Sequence, residues 1–77
     1  MVRTISVQPV GQGWSVTSVA FDSDMMFLSG AKAEAAARRM ATSMSNSGEA
    51  SEIRIFLRDG RMAGRFVTPP RYMALVG

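Results

Sequence analysis

The chain has no cysteine and no histidine. The first absence removes disulfides, thiolate nucleophiles and cysteine metal sites together. The second removes the commonest general base and the commonest zinc ligand. Lysine occurs once, at Lys32, and aromatic residues make up only 8% of the chain. No apolar run approaches the roughly 20 residues of a membrane-spanning helix. The opening MVRTISVQPVGQGW lacks the apolar stretch of a signal peptide. The expected setting is therefore cytoplasmic, with no membrane association. Serines are plentiful but have no histidine to activate them, and Lys32 falls on a polar helix face. No nucleophile–base pair can be assembled, so neither catalysis nor a cofactor is expected.

What is present is a 77-residue chain, 47% apolar, with a formal charge of +3. That size is one domain near the lower limit for a self-sufficient core, which keeps a homodimer open as an alternative. The charge is unevenly spread. Residues 1–30 sum to −1, residues 31–52 to zero and residues 53–77 to +4, because five of the eight arginines lie in the last segment against Asp59 alone. The organisation reads as one α+β domain over residues 1–67. Residues 68–77 form a C-terminal tail, either disordered or held by a partner.

Alternation of Ile5 and Val7 with Thr4, Ser6 and Gln8 predicts a half-buried strand stopped by Pro9. A turn at Gly11-Gln12-Gly13 leads into a second alternating segment, Trp14 to Val19, so the two read as a hairpin. Met25 to Leu28 is a short third strand. From Ala31 the period becomes helical: Ala33, Ala36, Ala37, Met40, Ala41 and Met44 form one apolar face. Lys32, Glu34, Arg38, Arg39 and Thr42 lie opposite, with Glu34 and Arg38 a favourable i,i+4 pair. Ser29 or Gly30 caps the start, Gly48 suits the left-handed position beyond the end, and Ser45 to Ser51 reads as a polar loop.

The most informative stretch is IRIFLRDGRMAGRF, Ile53 to Phe66, with four arginines in fourteen residues. A two-residue Asp59-Gly60 turn would make Arg58 and Arg61 the closing pair. Leu57 would then face Met62, Phe56 face Ala63, Ile55 face Gly64, Arg54 face Arg65 and Ile53 face Phe66. Ile53, Ile55, Leu57, Met62, Gly64 and Phe66 form an apolar face for the helix. Arg54, Phe56, Arg58, Arg61, Ala63 and Arg65 form the other. Two arginine pairs facing across a sheet cost on the order of 0.2–1 kcal/mol each.

Three readings of that basic face stand side by side. It is a solvated surface whose charge is partly offset by Asp59, Glu49 or Glu52. It is a nucleic-acid or polyanion site made of Arg54, Phe56, Arg58, Arg61 and Arg65, with guanidiniums for phosphates and Phe56 for stacking. Or it is an interface with an acidic protein, centred on Phe56 and Ala63. Four arginines on duplex phosphates would give a log–log salt slope of about −3.6. No small-molecule substrate is evident.

Two further patterns favour plain structural readings. Asp22-Ser23-Asp24 has the spacing of a calcium-loop fragment but lacks that pattern's glycine and closing glutamate, so a solvated turn is expected and no metal. Met40, Met44 and Met62 fall on predicted core faces, which makes them filling rather than a soft-metal site.

Several landmarks occur in order: Val7-Gln8-Pro9 closing the first strand, Gly13-Trp14-Ser15-Val16, Phe27, Ala31-Lys32-Ala33-Glu34-Ala35, Arg39-Met40-Ala41 and Arg58-Asp59-Gly60-Arg61. Together they resemble a family of small bacterial proteins catalogued as domain of unknown function 2188, over about Thr4 to Phe66. The resemblance implies a single domain with a helix between strand pairs and implies no activity, ligand or catalytic residue. Such proteins tend to carry Thr where Ala31 stands, completing a capping box with Glu34; here the cap shifts to Ser29 or Gly30. The loop from Ser45 to Ser51 is also longer than in that family. The expected architecture is an α+β two-layer domain, β-β-(β)-α-β-β, with one helix packed on an antiparallel sheet of undetermined strand order.

Overall fold

The computed structural model describes residues 2–19 and 24–71. In chain order these form β1 (Val2–Val10), β2 (Gly13–Ser18), β3 (Met25–Phe27), α1 (Gly30–Asn46), β4 (Ala50–Phe56) and β5 (Met62–Thr68). The architecture is the expected α+β, with one helix on one face of a sheet. The sheet has five strands in the order β3-β2-β1-β4-β5. It is mixed, not purely antiparallel: β1 and β4 run parallel, with Ile5 beside Ile53 and Val7 beside Ile55, while the other three pairs are antiparallel. The two hairpins thus join through their first strands. To do so, α1 leaves β3 at one edge and crosses over β2 and β1 to reach β4.

Pro9 does not stop β1, which continues to Val10 with Pro9 opposite Trp14. The parallel pairing with β4 ends at Val7. Pro9 therefore sits where β1 has a neighbour on one side only, a place that tolerates a residue with no N–H. The second strand ends at Ser18, one residue short of expectation, and the third comprises Met25–Phe27 without Leu28. Thr68, expected in the tail, is the last residue of β5.

The helix follows its apolar stripe. Ala33, Ala36, Ala37, Met40, Ala41 and Met44 are all buried, and all but Ala36 form one core cluster with Ile5, Val7, Val16 and Ile53 of the sheet. Trp14, Met25, Phe27 and Ile55 close the margins of this core. Small alanines at the contact let the helix lie close to the β-branched residues of β1, β2 and β4. Ser29 is the N-cap, its Oγ accepting from the Lys32 N–H at 3.2 Å.

At the other end α1 runs through Ser45 and Asn46, so the expected polar loop shrinks to Ser47, Gly48 and Glu49. The Glu49 N–H donates to the Met44 carbonyl at 2.8 Å and the Gly48 N–H to the Ser45 carbonyl at 3.0 Å. Gly48 has φ +85°. This is a Schellman stop, and the left-handed residue it requires is the reason for glycine there. Ser45, buried beside it, donates from Oγ to the Pro69 carbonyl at 2.8 Å, tying the helix end to the exit of β5.

Candidate polyanion-binding face

Strand alternation sends Ser51, Ile53 and Ile55 towards the helix and Glu52, Arg54 and Phe56 to the face that α1 does not cover. In the paired strands, Thr17, Ser6, Arg54 and Arg65 line up as one row across β2, β1, β4 and β5. Thr4, Glu52 and Val67 make the adjacent row. The facing of Arg54 with Arg65 is as the sequence predicts, and so are Ile53 with Phe66 and Ile55 with Gly64.

The pairing nearer the turn is not. Phe56 lies opposite Met62 instead of Ala63, and the register shifts between Ile55 and Phe56. The loop is one residue longer than two: the Gly60 N–H donates to the Leu57 carbonyl at 3.0 Å, and the Leu57 N–H to the Arg61 carbonyl at 2.8 Å. Leu57 and Arg61 close the hairpin, with Arg58, Asp59 and Gly60 (φ +90°) as its loop. This is a type I turn followed by a left-handed glycine, the usual three-residue alternative to the tight turn. Ala63 is then an extra residue in β5, a bulge that restores the register before Arg65. Arg58 and Arg61 are not a cross-strand pair, and Met62 and Leu57 are exposed rather than part of the helix-facing surface.

Each of the four arginines is already engaged. Glu52 accepts from Arg54 Nε on Oε1 and from Arg65 Nε on Oε2. Arg61 donates from Nε to Asp59 Oδ2 at 2.8 Å, and Arg58 reaches from Nη1 to the Gly11 carbonyl at 2.6 Å. Arg58 thus fastens the β4–β5 loop to the β1–β2 loop at one end of the sheet. The sequence-predicted set separates into two groups. Arg54 and Arg65 stand together on the uncovered face, with Phe56 half-buried two positions along β4. Arg58 and Arg61 belong to the hairpin end.

Glu52 is the residue that links the first group. Its side chain is only 6% exposed, while those of Arg54 and Arg65 are 42% and 62% exposed. The two guanidiniums lie over the carboxylate and hold its pKa below the ordinary glutamate value, Arg65 contributing most and Arg54 next, against the opposing effect of burial. Sequence reasoning placed Glu52 among three acids that offset charge. The signal that singles it out is E-x-R on one strand face with a second arginine directly across from the first. Glu49 instead pairs with Arg3 and Asp59 with Arg61.

Both bonds to Glu52 use Nε. The terminal Nη groups of Arg54 and Arg65 make no hydrogen bond among the described residues. Two planar forks are thus anchored at their base and open at their tips, with a summed charge of +1 after Glu52 is subtracted. Beside them a shallow hollow of about 390 Å³ runs over Thr4, Ser6, Thr17, Ser18 and Val19. The arrangement can bind an anion and offer hydroxyls around it. Among the described residues no three acidic groups converge as metal ligands. Asp24 is exposed; Asp22 and Ser23 lie outside the described residues. No helix among the described residues is long and apolar enough to cross a membrane. No family model, curated protein or solved structure matches the chain.

Proposed function

We propose that the chain is a small non-catalytic binding module whose uncovered sheet face takes a polyanion, with nucleic acid as the leading ligand. One observation carries this reading: a buried carboxylate holds Arg54 and Arg65 by their Nε atoms, and their four Nη groups make no hydrogen bond among the described residues. A solvated charge cluster has no need of such fixation. Holding two guanidiniums in place lowers the entropy cost of binding a phosphate between them. The hydroxyls of Thr4, Ser6 and Thr17 and the ring of Phe56 supply further contacts on the same face, of the kinds sheet-platform binders use for sugars and bases.

The test is a backbone chemical-shift titration at low salt with single-stranded and duplex oligonucleotides. Saturable shifts centred on Glu52, Arg54 and Arg65, removed in Arg54→Ser/Arg65→Ser, are the expected result. Absence of shifts on these residues ends the nucleic-acid reading.

A second reading, a protein-interaction or homodimeric module, has its own support. Among the described residues β5 is an unpaired sheet edge that exposes Met62, Phe66 and Val67. Sedimentation of the full chain distinguishes it, since a monomer at high concentration removes the homodimer. The apolar tail, which that reading would also bury, lies from Tyr72 onward outside the described residues.

A further inference from the structure

On the opposite side of the sheet a second feature stands apart from the arginine pair. β3 has three residues and forms one edge of the sheet, so α1 overhangs it. Between them is an open cleft of about 480 Å³, lined by Met25 and Phe27 from β3 and by Ala36, Arg39, Met40, Ser43 and Met44 from α1. The helical residues fall into two rows. Ala36, Met40 and Met44 form the inner wall, and Arg39 and Ser43, one position earlier in each turn, form the outer rim. The wall is apolar and two of its three residues are methionine, which adapts to the shape of a flexible chain.

Arg39 sets this cleft apart. Arg3, Arg38, Arg54, Arg58, Arg61, Arg65 and Arg71 each have an acceptor: Glu49, Glu34, Glu52, the Gly11 carbonyl, Asp59, Glu52 again and Asn46. Arg39 has none among the described residues, and it stands at the rim of an apolar hollow beside α1. A cation without an acid beside an apolar wall is complementary to one class of ligand: an alkyl chain carrying one anionic head.

We infer that the cleft between α1 and β3 binds a medium-chain carboxylate, with its alkyl chain along Ala36, Met40 and Met44 and its head group on Arg39. The wall from residue 36 to residue 44 spans about 12 Å along the helix. At about 1.25 Å of projected length per carbon, that matches a chain of roughly nine or ten carbons. The volume lies within the range of small-ligand sites. The carboxylate takes the Arg39 fork as a two-point acceptor at the Ala36 end of the wall, because a long helical side chain leans over the turn before it. Medium length follows from the geometry, because the short β3 ends the floor of the cleft and a longer chain would leave its end in water.

The probes are decanoate, decanol and decyltrimethylammonium, each below its aggregation threshold, titrated into the full-length chain and followed by methionine methyl shifts. The expected result is saturable binding of decanoate that moves the methyls of Met25, Met40 and Met44. Decanoate should bind about tenfold more tightly than decanol, with decyltrimethylammonium weaker still. Arg39→Gln, at an exposed helix position, should leave the fold intact and reduce decanoate to the affinity of decanol. Equal binding of the three probes, decanoate affinity unchanged in Arg39→Gln, or shifts confined to other methyls would each overturn the assignment. So would a cleft that takes an acidic amphipathic peptide but not decanoate. The oligonucleotide titration reads the other face, so either result can fail without the other.

Discussion

If the uncovered face binds single-stranded nucleic acid, its salt dependence reports how many arginines meet phosphate. Each phosphate neutralised on a single strand contributes about −0.7 to the slope of log affinity against log salt. The sequence offers four arginines, hence about −2.8. The structure places Arg58 and Arg61 at the hairpin end, on the Gly11 carbonyl and Asp59, and sets Arg54 and Arg65 side by side across the strands, sharing Glu52. The expected slope is therefore about −1.4, so raising salt from 50 to 200 mM should weaken binding about sevenfold, where four contacts would give about fiftyfold. Fluorescence anisotropy of a labelled oligonucleotide at five or six salt concentrations measures this directly. Arg54→Ser/Arg65→Ser should flatten the slope towards zero, and Arg58→Ser should leave it near −1.4. A steep slope that persists in the double variant would refute the division of labour between the pair and the hairpin end.

Glu52 carries a pH signature. Its folded-state pKa lies below the ordinary value of 4.5, so the stability it confers is complete above that value and is lost as pH falls through the depressed one. Thermal unfolding between pH 6 and pH 2.5 should show an acid limb that is shallower in Glu52→Gln, and identical limbs would contradict the shared ion pair. Gly48→Ala isolates backbone strain, because an added Cβ would meet nothing within 4 Å while φ stays at +85°. The expected cost is about 1 kcal/mol, a fall in Tm of roughly 4–8 °C by calorimetry. No change in Tm would mean that the Schellman stop does not govern the end of α1.

Much of the fold was legible because periodicity is a strong local signal. The helix stripe from Ala33 to Met44 and the alternation around Ile5, Val16 and Ile53 each define an inner face without knowledge of the neighbours. Strand order was not legible. The parallel pairing of β1 with β4 depends on where α1 carries the chain, a long-range outcome that no local pattern encodes. Pro9 misled for the same reason, since its tolerance rests on β4 ending early beside it. The candidate site was half legible. Alternation placed Arg54, Phe56 and Arg65 on one face, but the partners of Arg58 and Arg61 follow from loop geometry. The role of Glu52 needs both strands in register before its carboxylate can reach two guanidiniums.

The hairpin shows how a wrong local step left the right pair standing. The two-residue turn and the regular ladder were each off by one residue, and the errors offset: the loop has one residue more, and the Ala63 bulge absorbs one in β5. That offset makes an unusual deletion informative. With Ala63 removed and the three-residue loop kept, Leu57 still closes on Arg61, Phe56 faces Met62 and Ile55 faces Gly64 in an unbroken ladder. Arg54 then remains opposite Arg65. If an Asp-Gly two-residue turn set the register instead, the same deletion would move Arg65 opposite Ile55 and turn it to the helix side, where the core excludes a charge. The two outcomes differ by a whole face of the sheet. The chain lacking Ala63 should fold with its Tm nearly unchanged and keep the cross-strand Hα contacts between residues 53–55 and 64–66. Loss of folding, or a shifted set of contacts, would show that the bulge and not the loop fixes the arginine pair.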